Sequence, residues 1–234
     1  MPTSPCFTGY AGPSSGDEML LALDTATRFA SLALHDGRVL RYEVTWEAGR
    51  QHTTQLMPRV VAALEELRLG PDALRAVAVA LGPGSFTGLR VGMAVAKGLA
   101  LARNIPLVGI PTLDILAAAQ GGSRHPLVAV LQAGRGRLCA ARYRWREGWQ
   151  RREGPFLTTW EDLLATVTRP TLLCGEIDER GHQMIQETGD RVTVLPPAYC
   201  LRRAGFLAEL AWERLRRGET DDPATLSPLY LNWP

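Results

Sequence analysis

The chain has 234 residues, and hydrophobic residues make up 46% of them while charged residues make up 21%. This composition is typical of a folded globular protein and excludes a disordered chain of low hydropathy and high charge. The formal net charge of +2 is too small to predict a nucleic-acid binder, which needs a concentrated basic patch. No apolar run reaches the roughly 20 residues of a membrane-spanning helix, so we expect no membrane segment.

The cysteines and histidines show no ligand spacing. The cysteines form no Cys-x-x-Cys pair, which argues against a zinc site and a redox motif and favours reduced thiols in the cytoplasm. The histidines form no His-x-x-x-His pair, so we predict no metal site. The four cysteines are Cys6, Cys139, Cys174 and Cys200.

The start of the chain is rich in proline, serine and glycine and lacks the basic and apolar regions of a signal peptide. We therefore predict a flexible tail over residues 1–18. We expect the fold to begin near Met19, which is also a candidate start codon.

Residues 19–110 predict a first subdomain with a mixed sheet. Asp36-Gly37 separates two β-type runs, which is a strong hairpin signal, so the first three runs predict an antiparallel meander. The next segment has helical periodicity with Gly70 as its C-cap, but Pro58 predicts a helix that starts near Leu56 or kinks. Two buried runs then flank a second helix, which indicates parallel strands.

Residues 111–234 predict a second subdomain that repeats strands followed by helices. A hairpin turns at Glu147-Gly148, Thr159 caps a short helix, and a long helix runs from about Leu201 to Arg217. The chain is therefore predicted to be an α/β protein with two related subdomains, each with a mixed sheet and helices.

A glycine-rich stretch, "GPGSFTGLR", lies between a predicted strand and a predicted helix. Helix N-termini of this kind can bind phosphate, yet the spacing fits neither a dinucleotide fingerprint, nor a P-loop, nor a nucleophile elbow. We favour a structural role, in which glycines allow close packing of a helix from Leu89 onward and Ser85 or Thr87 caps it. The motif residues are Gly82, Pro83, Gly84, Ser85, Phe86, Thr87, Gly88 and Arg90.

Two further groups of residues leave alternatives open. Asp24, Thr25 and Thr27 end the first strand; they are candidates for holding magnesium and nucleotide phosphates, or for stabilising a turn. Arginines alternate with aromatic residues in the later hairpin, which indicates either an RNA-binding surface or an amphipathic hairpin, and we favour the latter. The candidate RNA contacts are Arg142, Arg144 and Arg146.

Four stretches together resemble the TsaB (YeaZ) family, which takes part in making threonylcarbamoyladenosine in tRNA. They are "LALDTATRFASLAL", "HTTQLMPRVVAAL", "GPGSFTGLRVGMAVAKGLALARNIPLVGIPTLDILA" and "SPLYLN". The resemblance implies the actin/Hsp70/sugar-kinase (ASKHA) fold. It also implies a non-catalytic subunit, a degenerate paralogue of the transferase TsaD.

The partners implied by the resemblance are a TsaD-type subunit and a TsaE-type ATPase, with a homodimer in isolation and tRNA reached through the complex. No cofactor is expected for the chain alone, and ATP only in the complex. The two long helices would supply the partner surface. Its predicted residues are Leu56, Val60, Leu64, Met93, Ala94, Lys97 and Leu101.

One segment departs from the family pattern. Many members have Asp-Ala-Arg where this chain has Gln132, Ala133 and Gly134. An acidic residue there would assist phosphate or metal binding in kinases of this fold, so its absence argues against ATP chemistry. The alternative kept open is an ATPase or small-molecule kinase of the same fold that uses Asp24. A peptidase, as older family labels suggest, lacks a qualified nucleophile.

Overall fold

The computed structural model describes residues 18–231. The first five strands form one mixed sheet in the order β3-β2-β1-β4-β5. β1 pairs antiparallel with β2, and β2 with β3, whereas β4 runs parallel to both β1 and β5. The predicted meander and parallel strands are confirmed, while the predicted tail lies almost entirely outside the described residues. The strands are β1 Met19–Asp24, β2 Phe29–His35, β3 Leu40–Glu47, β4 Leu74–Gly82 and β5 Leu107–Pro111.

The second sheet has the same plan as the first. Its order is β10-β9-β6-β7-β8, with β6–β7 and β7–β8 antiparallel and β9 parallel to both β6 and β10. Each half therefore begins with a meander and adds two parallel strands on the other side of its first strand. This repeat confirms two related halves and an ASKHA-like fold. The strands are β6 Leu127–Gln132, β7 Leu138–Trp145, β8 Trp149–Thr158, β9 Thr171–Gly175 and β10 Val192–Val194.

Six α-helices are described between residues 18 and 231. α1 and α2 cover one face of the first sheet, where α1 residues such as Leu56 share a core with Leu21 of β1. α4 and α5 pack on the second sheet. No helix within the described range has the length and apolar content needed to cross a membrane. The helices are α1 His52–Glu66, α2 Phe86–Arg103, α3 Thr112–Ala118, α4 Trp160–Ala165, α5 Glu179–Gln186 and α6 Ala204–Arg216.

Two helices, α3 and α6, pack on the sheet other than the one whose last strand they follow in the chain. α3 follows β5, yet its Leu113 and Leu116 share a core with Leu127 of the second sheet. α6 follows β10, yet its Leu207 shares a core with Leu20 on the first sheet, on the face opposite α1 and α2. Residues after 111 therefore complete the core of the first half, so the sequence boundary between the subdomains does not coincide with a boundary in the packing.

The ends of α1 differ from the prediction. The helix begins at His52 instead of Leu56 and includes Pro58. Because proline has no N–H, the carbonyl of Thr54, four residues earlier, has no helical hydrogen-bond partner. Both Pro58 and Thr54 are exposed. At the other end Arg68, with φ of 57°, takes the left-handed conformation predicted for Gly70. The Leu69 amide then bonds the carbonyl of residue 64 at 2.8 Å, which completes a Schellman motif.

Candidate functional site

The turn that follows β1 packs directly against the glycines of the motif. A Cβ added at Gly84 would lie 2.3 Å from the Ala26 carbonyl oxygen, and one at Gly88 would lie 2.2 Å from the Thr25 carbonyl oxygen. At Gly92, one helical turn further, it would lie 2.3 Å from Thr25 Oγ1. The Thr25 hydroxyl donates to the Gly88 carbonyl at 2.7 Å. Three glycines at four-residue spacing thus let α2 contact this turn directly, as the structural interpretation predicted.

Ser85 caps α2. Its Oγ accepts a hydrogen bond from the Gly88 amide at 3.3 Å, and its own amide donates to the Ala26 carbonyl at 2.6 Å. The helix begins at Phe86, so the predicted start at Leu89 was one turn too late. The Ser85 side chain already accepts the Gly88 amide. Thr25 and Ala26 occupy the space left beside Gly84, Gly88 and Gly92, which we call the glycine groove. The motif therefore makes its contacts within the chain.

The remaining motif residues divide between the interior and the surface. Pro83 is buried, and the Gly82 amide donates to Thr112 Oγ1 at 2.9 Å. Phe86, Thr87 and Arg90 are exposed, and the Arg90 guanidinium lies 4.2 Å from the centre of the Phe86 ring. The exposed part of the motif is therefore a small aromatic and basic patch at the start of α2.

Asp24 is fully buried and both of its carboxylate oxygens are bonded. Oδ1 accepts the Ala26 amide at 2.8 Å, and Oδ2 accepts Nε of Arg202 at 3.0 Å. Nη2 of the same arginine donates to Thr27 Oγ1 at 2.6 Å and to the Phe29 carbonyl at 3.1 Å. A buried arginine from the second half therefore joins two of the three residues predicted as a candidate nucleotide site.

The second half extends this network. Nη1 of Arg202 lies 3.5 Å from Glu176 Oε1, and Glu176 Oε2 accepts the Gln132 amide at 3.1 Å. The Gln132 side chain donates to the Glu176 carbonyl at 3.0 Å. The segment that departs from the family pattern is thus tied to Glu176, and Arg202 links both to Asp24. Sequence reasoning missed Arg202, because this residue precedes α6 outside any recognisable motif.

His52 approaches the same cluster from the start of α1. The ring is buried, and its Nδ1 has no hydrogen-bond partner. Burial lowers the pKa of His52 below its ordinary value of 6.5; the Thr27 backbone and the charge of Asp24 oppose this shift, and Arg202 adds to it. The imidazole is therefore neutral at pH 7, which suits its position beside a buried guanidinium.

A cavity of about 510 Å³ opens beside the cluster, between the two halves. Phe29, Ile177 and Leu195 are among its apolar lining residues, and Arg202 forms part of the wall. Arg28 also lines it but pairs with Glu47 at 3.0 Å. In this arrangement the guanidinium of Arg202 holds the position at Asp24 that a magnesium ion would need.

The predicted partner surface requires a correction. Four of its residues face the interior of the first half: Leu56, Val60, Leu64 and Met93 are all buried in the core between the helices and the sheet. Their periodic spacing indicated the core side of each helix and not the exposed side.

The outward side of the two helices carries other residues. Met57 and Val61 are 37% and 47% exposed on α1, and Leu101 is 66% exposed on α2. Ala94 and Gly98 are exposed, Lys97 is half-buried, and a Cβ added at Gly98 would meet no atom within 4 Å. We call Met57, Val61, Ala94, Gly98 and Leu101 the outer helix face.

The arginine-rich hairpin is amphipathic, as favoured from the sequence. Arg142 bonds Glu153 and donates to Thr166 Oγ1 at 2.6 Å, so its charge is satisfied within the chain. Tyr143 is buried. Arg144 and Arg146 are exposed, and RNA contact by them stays a prediction.

Comparison with known proteins decides the family. The chain is 30% identical over 218 residues to the tRNA threonylcarbamoyladenosine biosynthesis protein TsaB of Bacillus subtilis (strain 168), covering 91% of this chain and 93% of that protein. The chain belongs to the TsaB (YeaZ) family. TsaB of Escherichia coli (strain K12) is 37% identical over 130 residues, which are 53% of this chain and 54% of that one.

Structural comparison agrees with membership of the TsaB family. The structure of YeaZ from Pseudomonas aeruginosa is similar with a TM-score of 0.75 and 28% identity, over 92% of this chain and 100% of that chain. A family model described as TsaD, tRNA N6-adenosine threonylcarbamoyltransferase, matches residues 45–167. That match includes the glycine motif and α1, α2 and α3, but neither Asp24 nor Arg202.

Proposed function

We propose that the chain is a non-catalytic subunit of the cytoplasmic machinery that forms threonylcarbamoyladenosine in tRNA, and that it binds and supports a TsaD-type transferase. The names of the TsaB relatives and of the matching family model supply the pathway. The observation that carries the proposed role is the outer helix face, which exposes apolar and small residues while the opposite sides of the same helices are buried.

The outer helix face has the properties of a helix-docking surface. Exposed apolar side chains such as Val61 and Leu101 gain from burial against a partner. The open surface at Gly98 and the small side chain of Ala94 allow another helix to approach the α2 backbone closely. Lys97, beside them, supplies a positive charge that favours an acidic partner residue. A second copy of the chain fits the same requirement, so we propose a homodimer when the transferase is absent.

The environment of Asp24 supports a non-catalytic role. A kinase or ATPase of this fold would need this carboxylate to reach magnesium bound to nucleotide phosphates. Here it is buried, and its oxygens bond Arg202 and the Ala26 amide. We propose that Asp24, Thr25 and Thr27 are structural, and that ATP acts only through the TsaE-type ATPase in the assembled complex. Calorimetry with magnesium and ATP on the isolated chain tests this, because saturable binding would favour the ATPase alternative.

The last part of the proposal concerns how tRNA is bound in the complex. We propose that tRNA is held mainly by the partners, and that Arg144 and Arg146 add basic surface at the hairpin. Replacing both with glutamine would then lower the salt dependence of tRNA association with the complex.

The overall proposal is tested by co-elution of the purified chain with its cognate TsaD-type subunit. Separate elution at all concentrations, with unchanged threonylcarbamoyladenosine after deletion of the gene, would contradict it.

A further inference from the structure

A second cavity, of about 580 Å³, lies between α3, the end of the β7–β8 hairpin and α6, on the other side of the first sheet from α1 and α2. Four aromatic side chains line it, and they come from three different elements, β7, β8 and α6. We call it the aromatic cavity; its aromatic residues are Tyr143, Trp145, Trp149 and Phe206. Neither the glycine motif nor the Asp24 cluster contributes to it.

The indole rings are held in place by contacts within the chain. Trp145 and Trp149 meet edge to face, with ring centres 5.5 Å apart and planes at 76°. Nε1 of Trp149 donates to the Gln120 carbonyl at 3.1 Å, and the Gln120 side chain donates to the Leu116 carbonyl at 2.8 Å. Trp145 packs on Gly122, where an added Cβ would lie 2.7 Å from the ring. The aromatic walls are therefore preorganised before any ligand arrives.

The lining of the aromatic cavity is acidic. Glu209 and Glu213 lie one helical turn apart on α6, and Asp114 on α3 and Glu147 in the hairpin turn complete a set of four carboxylates. Against them the described lining contains one basic side chain, Arg151, whose guanidinium lies 3.5 Å from Asp114. The aromatic cavity therefore repels anions and attracts a positively charged ligand.

The pKa values of two of these acids are shifted in opposite directions. His35 beside Glu209, at 3.1 Å, holds the pKa of that carboxyl below its usual range, so Glu209 is ionised at neutral pH. Burial raises the pKa of Asp114, opposed by the hydroxyl of Tyr143 at 2.7 Å and by the charge of Arg151. Glu209 is thus a source of negative charge at the cavity, whereas Asp114 is less readily ionised.

We propose that the aromatic cavity binds an organic cation, an alkylammonium or guanidinium group with an apolar body. Ring faces of tryptophan, tyrosine and phenylalanine attract such cations, and carboxylates at the edge add long-range attraction. A hard metal ion fits poorly, because within residues 18–231 no three His, Cys, Asp or Glu side chains are placed to hold one. A neutral apolar ligand would gain nothing from the excess of carboxylates over basic side chains in the lining.

The same cationic group can come from a free metabolite or from a lysine or arginine side chain of a partner. The cavity volume accommodates either, and the rings recognise the charged group alone. The site is independent of the proposed transferase interface, because α6 and the outer helix face lie on opposite faces of the first sheet.

The direct test compares two probes of nearly equal shape. Choline carries a trimethylammonium group, whereas 3,3-dimethylbutan-1-ol replaces that group with a neutral tert-butyl group. Both would be titrated into the full chain while the indole N–H signals of Trp145 and Trp149 are followed by NMR. We expect choline to bind about 10-fold more tightly than the alcohol and to shift these two signals. Equal affinities, or no saturable choline binding at tens of millimolar, would overturn the proposal.

Two variants and a control make the test specific to the cavity. Glu213→Gln keeps the side-chain shape and is expected to weaken choline binding severalfold, and Trp145→Leu is expected to abolish it. Glu187→Gln, an exposed acid after α5 outside the cavity, is expected to change nothing. Unchanged choline affinity in a folded Glu213→Gln protein would contradict a cation site. Lysine with an acetylated α-amine, an amidated carboxyl group and a free side-chain amine identifies the source of the cation. Tighter binding of this probe than of choline indicates a side chain of a partner protein, and weaker binding indicates a free metabolite.

Discussion

Nε of Arg202 lies 3.0 Å from Oδ2 of Asp24, and both side chains are buried. The two residues are separated by 178 positions in the chain, and each belongs to a different half of the sequence. Together with the Thr27 and Phe29 contacts of the same arginine, this ion pair fixes the turn after β1 to the segment that leads into α6. The carboxylate predicted from the sequence as a candidate nucleotide ligand is therefore bonded within the chain in this structure.

Loss of Arg202 should be strongly destabilising. Arg202→Met removes the guanidinium and leaves Asp24 as a buried charge with only one donor, so we expect the free energy of unfolding to fall by about 3–5 kcal/mol. Urea unfolding followed by circular dichroism measures this change. Arg203→Met is the matched control, because the neighbouring Arg203 is 48% exposed and its pair with Glu43 should contribute less than about 1 kcal/mol. Similar effects of the two variants would contradict the importance of the buried pair.

The glycine groove can be tested with two substitutions in one helix. Gly88→Ala places a Cβ 2.2 Å from the Thr25 carbonyl oxygen, so α2 or the turn must shift, and we expect a loss of about 1–3 kcal/mol. Gly98→Ala adds a Cβ that meets nothing within 4 Å, and should be neutral or stabilising by up to about 1 kcal/mol through helix propensity. Thermal unfolding of both proteins measures these changes. If the motif needs only a flexible backbone and not close contact with the turn, the two variants would be destabilised equally, which would contradict the glycine groove.

His52 should make stability dependent on pH. Its pKa in the folded chain lies below the ordinary 6.5, so between these two values the unfolded chain binds a proton that the folded chain does not. The free energy of unfolding therefore decreases as the pH falls from about 6.5 toward the lowered pKa. Equilibrium unfolding at a series of pH values should show this decrease, and His52→Gln should reduce its slope. An unchanged slope in the variant would assign the effect to another group.

The sequence predicted the strands and helices better than their contacts. The Asp36-Gly37 signal and the alternation of strand and helix came from local chemistry, and both were confirmed. The end of α1 was predicted at Gly70, but Arg68 accepted the left-handed conformation, because the two Schellman hydrogen bonds from residues 68 and 69 stabilise the end. Propensity favours glycine at this position but does not require it.

The candidate site shows why contacts are harder to predict. Asp24 was visible as an acid at the end of a strand, yet its partner Arg202 lies in a different half and carries no local pattern. Periodic apolar residues such as Leu56 and Leu64 could have faced a partner or the core, because spacing reports a shared helix face without saying what covers it. The packing of α6 on the first sheet places Arg202 next to Asp24. The packing of α1 on that sheet buries Leu56 and Leu64.

Binding to a cognate TsaD-type subunit tests the central claim most directly. The purified chain would be titrated with that subunit by calorimetry, alongside Leu101→Asp and Val61→Asp on the outer helix face and Val39→Asp as control, since Val39 is 55% exposed in the β2–β3 turn. We predict saturable binding for the unmodified chain and Val39→Asp, and at least about 10-fold weaker binding for the two face variants, because each would bury an unpaired charge. Equal affinity for all four proteins would contradict the assigned surface, and absence of binding by the unmodified chain would contradict the proposed function.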